Sequence, residues 1–255
     1  MKQVEETALI PKGYIERVSG CIAMTKSKKF LMGYFINVVI HPFTPKPDPG
    51  KRILACVGDS LTYGAGVRIT RNRDSYPAQL GMLLKDEWQV LNYGLSWRTL
   101  QDSGDLPYRK DRFYRESLNC GAELYLLMLG SNDAKYFNWD AENYRRELRI
   151  FTEAYQGLPQ KPAVVLMQPT IAWKDRLGRD PYGLMTGIVG NELHDIIADV
   201  GKETGCPVID LYQLTKDHRD WFFDASHPNR KGNGMIARFI DHSLKEIAGA
   251  HHGEA

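Results

Sequence analysis

The spacing of short apolar runs constrains this chain more than any other feature. Residues 52–57 (RILACV), 88–92 (WQVLN), 123–129 (ELYLLML), 163–167 (AVVLM) and 207–211 (PVIDL) each have the length and apolar character of a strand. Between and after them, 75–87, 141–156, 186–204 and 230–247 carry apolar residues at three- and four-residue spacing, as in Leu193, Ile196, Ile197 and Val200. Strands alternating with helices predict parallel βαβ units, with helices on both faces of the sheet. Near-continuous apolar strands fit a sheet covered on both sides. Ligands bind such a sheet at the carboxyl ends of its strands. The loops to inspect are therefore 58–66, 93–103, 130–139, 168–185 and 212–229.

Before the first strand the composition changes. The stretch His41 to Gly50 holds four prolines and reads as a stiff connector. Residues 14–40 contain β-branched and aromatic runs split at Thr25 to Lys29, which predicts a hairpin or small sheet. The expected organisation is a β-rich extension and connector over 1–50 and an α/β domain over 51–250. The extension is placed to cover a sheet edge or to make a homo-oligomer contact.

Composition excludes several classes. Hydrophobic residues are 43% and charged residues 25% of the 255, which argues against global disorder. A formal charge of +2 is too small for nucleic acid or an anionic membrane to be the main partner. Cys21, Cys56, Cys120 and Cys206 form no C-x-x-C pair, so neither a zinc site nor a disulfide framework is indicated. The N-terminus lacks the apolar core of a signal peptide, and Phe30 to Ile40 is too short to span a bilayer. A soluble, cytoplasmic protein is expected.

Four loops carry chemistry. Gly58-Asp59-Ser60-Leu61 leaves the first strand and would set the Ser60 hydroxyl at the sheet's carboxyl edge; it also reads as an ordinary turn. It is not a phosphate loop, because G-x-x-x-x-G-K-[ST] is absent, and Gly64 and Gly66 lack the third glycine of a dinucleotide fingerprint. Gly94, after the second strand, allows close backbone approach, so its amide could face an oxyanion; the alternative is a glycine needed only for backbone geometry. Asn132, in Gly130-Ser131-Asn132-Asp133, offers an uncharged donor or merely an Asx turn. In Asp224-Ala225-Ser226-His227, the imidazole could take the Ser60 proton while Asp224 fixes its tautomer. Asn229 suits the N-cap of the helix that follows.

These four blocks, in this order over 57–228, resemble those of the SGNH (GDSL-type) hydrolase family. The resemblance implies a flavodoxin-like three-layer α/β/α fold with a five-stranded parallel sheet. It assigns Ser60 as nucleophile, His227 as base and Asp224 as its orienting partner. It builds an oxyanion hole from the Ser60 and Gly94 amides and the Asn132 side chain. One departure stands out: Trp97 occupies a position where family members often carry a small residue.

The implied reaction is ester hydrolysis through an acyl-enzyme, with no metal or cofactor. Trp97, Trp139 and Trp173 lie on cleft-side loops and could stack on sugar rings; Asp59 joins them as a candidate substrate contact. The alternative is that these tryptophans only pack the loops. The run Asn132-Asp133-x-Lys135-x-x-Asn138-Trp139 resembles bacterial carbohydrate acetylesterases of the family. The expected substrate is therefore a short-chain, acetyl-type ester on a small molecule or oligosaccharide. A lysophospholipase or thioesterase, and a non-catalytic carbohydrate-binding module, are the competing readings. His194 and His218 are expected to be packing or surface residues.

Overall fold

A computed structural model of the chain describes residues 44–252. The β-rich piece expected over 14–40 lies outside them. The elements run β1 (Arg52–Gly58), α1 (Ser60–Tyr63), α2 (Arg71–Asp74), α3 (Tyr76–Leu83), β2 (Trp88–Gly94), α4 (Arg112–Leu118), β3 (Leu124–Met128), α5 (Ala141–Gln156), β4 (Ala163–Gln168), α6 (Thr186–Val189), α7 (Glu192–Thr204), β5 (Val208–Asp210), α8 (Leu211–Thr215) and α9 (Arg230–His252). The strands form one parallel sheet in the order β2-β1-β3-β4-β5. All five expected strands are present, and the sheet is the doubly wound type expected. Among the described residues, no helix is long and apolar enough to cross a membrane.

The two-residue period of the strands sorts the core into two layers. Ala55, Val57, Tyr125, Leu127, Val164 and Leu166 face one side, where Phe113 of α4, Leu148 and Phe151 of α5, and Leu193, Ile197 and Val200 of α7 meet them. Leu54, Cys56, Leu126, Met128, Val165 and Met167 face the other, against Leu61 of α1, Tyr76 and Leu80 of α3, and Ile236 and Ile240 of α9. Each such side chain stabilises the fold by roughly 2 kcal/mol when taken from water. Cys56, Cys120 and Cys206 are buried free thiols, and burial pushes the Cys56 thiol far up.

The order reverses between β1 and β3: the chain winds outward from β1 to β2, then crosses to β3. That switch point opens a crevice at the strand ends. The loops after β1 and β3, holding Ser60 and Asn132, flank it. The helix α1 fits there because both neighbouring strands end in glycine. A Cβ on Gly94 would lie 2.2 Å from Tyr63 N, and one on Gly58 would lie 2.2 Å from Thr62 Oγ1.

A buried polar web fixes the loop after β2. Asp133 accepts the amides of Leu100 and Gln101, both at 2.9 Å. Arg98 donates to Asp111 at 2.8 Å, and Asn138 donates to Asp105 Oδ1 at 2.9 Å. Burial pushes the Asp133 carboxyl up to about 7; the Gln101 and Leu100 amides offset part of that, and the nearby Asp59 charge adds to it. On the outer side of β2, the Gln89 side chain accepts from Asp48 N at 2.6 Å and donates to Lys46 O at 3.0 Å, tying the proline-rich connector to this edge strand.

Two outcomes follow from this packing. Gly94→Ala pushes a methyl into the α1 backbone and should lower stability by about 3 kcal/mol, as overpacking does; urea unfolding reads this, and a loss below a few tenths would refute the close-approach argument. Asp133 has a folded pKa above the ordinary aspartate value, so its neutral form is favoured in the fold. Its contribution to stability is complete at low pH and is lost as pH rises through about 7. Melting temperatures of wild type and Asp133→Asn, compared from pH 5 to 8, should diverge in slope across that window. Parallel curves would show that this carboxyl does not titrate there.

Candidate active site

Ser60 opens α1, directly beyond the C-terminal end of β1. Asp59 holds this helix start: its Oδ1 accepts the Leu61 amide at 2.9 Å. The Ser60 amide sits at the first helical position, where no carbonyl of the same helix can reach it. Gly64 ends the helix in the left-handed conformation at φ 90.

His227 arrives from the other end of the domain. Residues 222–228 fold back on themselves, with Phe223 N donating to His227 O at 2.8 Å. Within that turn, Asp224 Oδ1 accepts the amides of Ser226 and His227, each at 2.8 Å. Its Oδ2 pairs with His227 Nδ1 at 2.8 Å. His227 Nε2 then lies 3.0 Å from Ser60 Oγ. Burial acts to raise the Asp224 carboxyl, but the His227 bond and charge and the two amides outweigh it, leaving it at about 2. The carboxylate therefore stays ionised across the neutral range. Asn229 caps α9 as expected, accepting from Gly232 N at 3.1 Å. Trp173 N donates to Ala225 O at 2.7 Å, which pins the turn from the loop after β4.

Asn132 is buried at the end of β3, within the same crevice as Asp59. Its Nδ2 donates to Arg98 O at 3.1 Å and, more weakly, to Asp59 Oδ2 at 3.4 Å. Gly94 differs from the expectation. Its amide donates to Asn92 Oδ1 at 2.8 Å, so in this conformation it is used at the end of its own strand. The glycine is needed there for the approach of α1. Trp97, three residues on, takes φ +70, the left-handed region that glycine enters freely and other residues seldom do.

Asp59 is also corrected. It was expected as a substrate contact, but it is wholly buried, with both oxygens turned to Leu61 N and Asn132. Burial pushes its carboxyl up to about 6, against the Leu61 amide, the His227 and Lys135 charges and a Ser131 bond. The three tryptophans separate. Trp139 packs on Tyr144 at 5.5 Å and donates to Glu192 at 2.9 Å, so it belongs to the core margin. Trp173 stands edge-on to Phe222 at 6.3 Å, with its Nε1 buried and unpaired. Trp97 is the one at the site: the buried Lys135 ammonium lies 4.7 Å from its ring, and Tyr182 meets it edge-on at 6.4 Å.

Sequence reasoning missed Tyr182 and the inward placement of Lys135. Tyr182 lies on the loop after β4, but no spacing in the sequence links it to Asp224 or His227. Lys135 falls in the run after Asn132, yet nothing local announces a buried lysine. His194 pairs with Asp210 at 2.9 Å, and His218 stacks on Trp221 at 3.8 Å, so both histidines have packing roles. Among the described residues, no group of three or more His, Cys, Asp or Glu side chains is arranged to hold a metal ion.

Comparison with known proteins agrees with this architecture. An acetylxylan esterase from Xylanibacter ruminicola is 29% identical over 220 residues, covering 79% of this chain and 45% of that protein. The chain thus spans less than half the length of this relative. A carbohydrate acetylesterase from Sinorhizobium meliloti shares the fold at 18% identity, with a TM-score of 0.61 over 77% of this chain and 100% of the other. The aryl esterase of M. smegmatis does so at 18% identity, with a TM-score of 0.60 over 76% and 99%. The family model for GDSL-like lipases and acylhydrolases matches residues 56–235, well over half the sequence, so the chain belongs to the GDSL-like lipase/acylhydrolase family.

Proposed function

We propose that the chain is a serine esterase that removes short acyl groups, acetyl foremost, from a carbohydrate. Membership of an acylhydrolase family gives the reaction class, cleavage of a carboxylic ester. The observation that carries the mechanism is the unbroken line Asp224 Oδ2, His227 Nδ1, His227 Nε2, Ser60 Oγ, with steps of 2.8 and 3.0 Å.

In this reading His227 takes the Ser60 proton as Oγ attacks the ester carbonyl. Asp224 steadies the imidazolium and remains a carboxylate. The oxyanion is received by the Ser60 amide and Asn132 Nδ2; it competes with the long Asp59 contact for the Asn132 hydrogen. His227 returns the proton to the leaving alcohol, and water repeats the cycle on the acyl-enzyme. The Gly94 amide joins only if its loop releases Asn92.

Three features support an acetyl-sized acyl group on a sugar. The relative named above is an acetylxylan esterase. The Tyr182 ring stands beside the base and is itself met by Trp97, an aromatic pair suited to a sugar ring. The loop at 174–180 is exposed and carries Lys174, Arg176, Arg179 and Asp180, which suit hydroxyl-rich ligands.

Hydrolysis of p-nitrophenyl acetate should vanish in Ser60→Ala while the melting temperature holds, and full activity in that variant would remove the nucleophile. Asn132→Ala should slow turnover on the order of 100-fold, the worth of one oxyanion donor; an unchanged rate would remove that role. Acetate release from acetylated xylo-oligosaccharides should exceed release of butyrate or longer acids from matched esters. A preference for long acyl chains would overturn the substrate reading.

A further inference from the structure

Tyr182 is not part of any block that marks the family in this sequence, yet it touches the catalytic line at two points and Trp97 at a third. Its hydroxyl donates to Asp224 Oδ2 at 3.2 Å, the same oxygen that receives His227 Nδ1. Its ring lies 6.0 Å from the imidazole, tilted by 50°. Its edge meets Trp97 at 6.4 Å. The backbone at Tyr182 is left-handed, at φ 56 and ψ 18, and Gly183 follows at φ 77. A tyrosine held in that region is strained, and such strain persists only where the surroundings over-determine it. Tyr136 N donating to Gly183 O at 3.1 Å, and Leu184 bridging Lys135, supply that restraint from the loop after β3.

We propose that Tyr182 is a positioning residue of the triad: it shares Asp224 Oδ2 with His227, restrains the carboxylate's rotation, and tempers the negative charge that the imidazole meets. This rests on the Ser60–His227–Asp224 reading. Burial and the Asp224 charge both raise the Tyr182 phenol above its ordinary value, so it remains a donor throughout any practical assay range. The groups facing His227 are Ser60, Asp224, the Ser226 hydroxyl at 3.4 Å, Tyr182, and the buried Asp59 charge behind the nucleophile.

Tyr182→Phe tests this, because it keeps the ring and the backbone and deletes only the donor. Without it, Asp224 Oδ2 presents its full charge to the imidazole and favours the protonated ring. The acid limb of the kcat/KM profile should move to higher pH, kcat should fall about tenfold, as for loss of a hydrogen bond to a charged group, and KM should hold. In an Asp224→Asn background the same change should have no further effect, since the path runs through that carboxylate. An unmoved acid limb overturns the proposal, whether or not the melting temperature drops. So does an undiminished effect in the Asp224→Asn background. Ser60→Ala measured alongside separates the two ideas: if it is inactive while Tyr182→Phe behaves as wild type, only the positioning role fails; if it is active, the triad falls and this role with it.

Discussion

The hydrogen bond between His227 and Ser60 joins residues 167 positions apart, and the domain is organised around making it possible. One partner stands at the start of α1, just beyond the first strand of the sheet, and the other on the turn before the last helix. Neither turn alone fixes the distance. It is fixed by the sheet, by α1 resting on Gly58 and Gly94, and by α9, whose cap at Asn229 begins two residues after the imidazole. A few tenths of an ångström lost in any of these supports would be felt at the Ser60–His227 contact, because close-packed interiors transmit displacement.

Much of this frame was readable from residue order. The near-continuous apolar runs at 52–57 and 163–167 and the three-and-four spacing in 141–156 produced elements at those places. The helical signal over 186–204 was real but hid a break. The helix is interrupted at Gly190 and Asn191, between α6 and α7. A Cβ on Gly190 would lie 2.3 Å from the Tyr212 hydroxyl, a close approach from beyond β5 that periodicity cannot see. The short helix α4 was missed, since seven residues with few apolar positions make a weak periodic signal. At the site, the Asp-x-x-His pair was legible because both residues share one turn. The fate of Gly94, Asp59 and Trp139 was not, because each depends on a partner from a distant segment: α1, Asn132 and Glu192.

The buried charges beneath the crevice point the same way. Asp59, Asp133, Asp105 and Lys135 lie almost wholly out of water. Burial lowers the Lys135 ammonium, and the charges of Asp105, Asp59 and Asp133 oppose that. Such a cluster is a poor device for stability, since desolvation consumes most of the attraction. What it supplies is definition: backbone amides at 100 and 101 have one place to go, and the Trp97 ring has a cation against its face.

The connector bound along β2 has a consequence for the molecule among its neighbours. An unprotected outermost strand is a template on which another polypeptide can build. Here the Gln89 carboxamide, engaging Lys46 and Asp48 at once, behaves as a miniature extra rung, and the prolines at 45, 47 and 49 have no amide hydrogen with which to extend the ladder. The sheet is thereby terminated on that flank by a segment that can attach to it but cannot propagate it, a built-in brake on strand-by-strand association in a crowded solution.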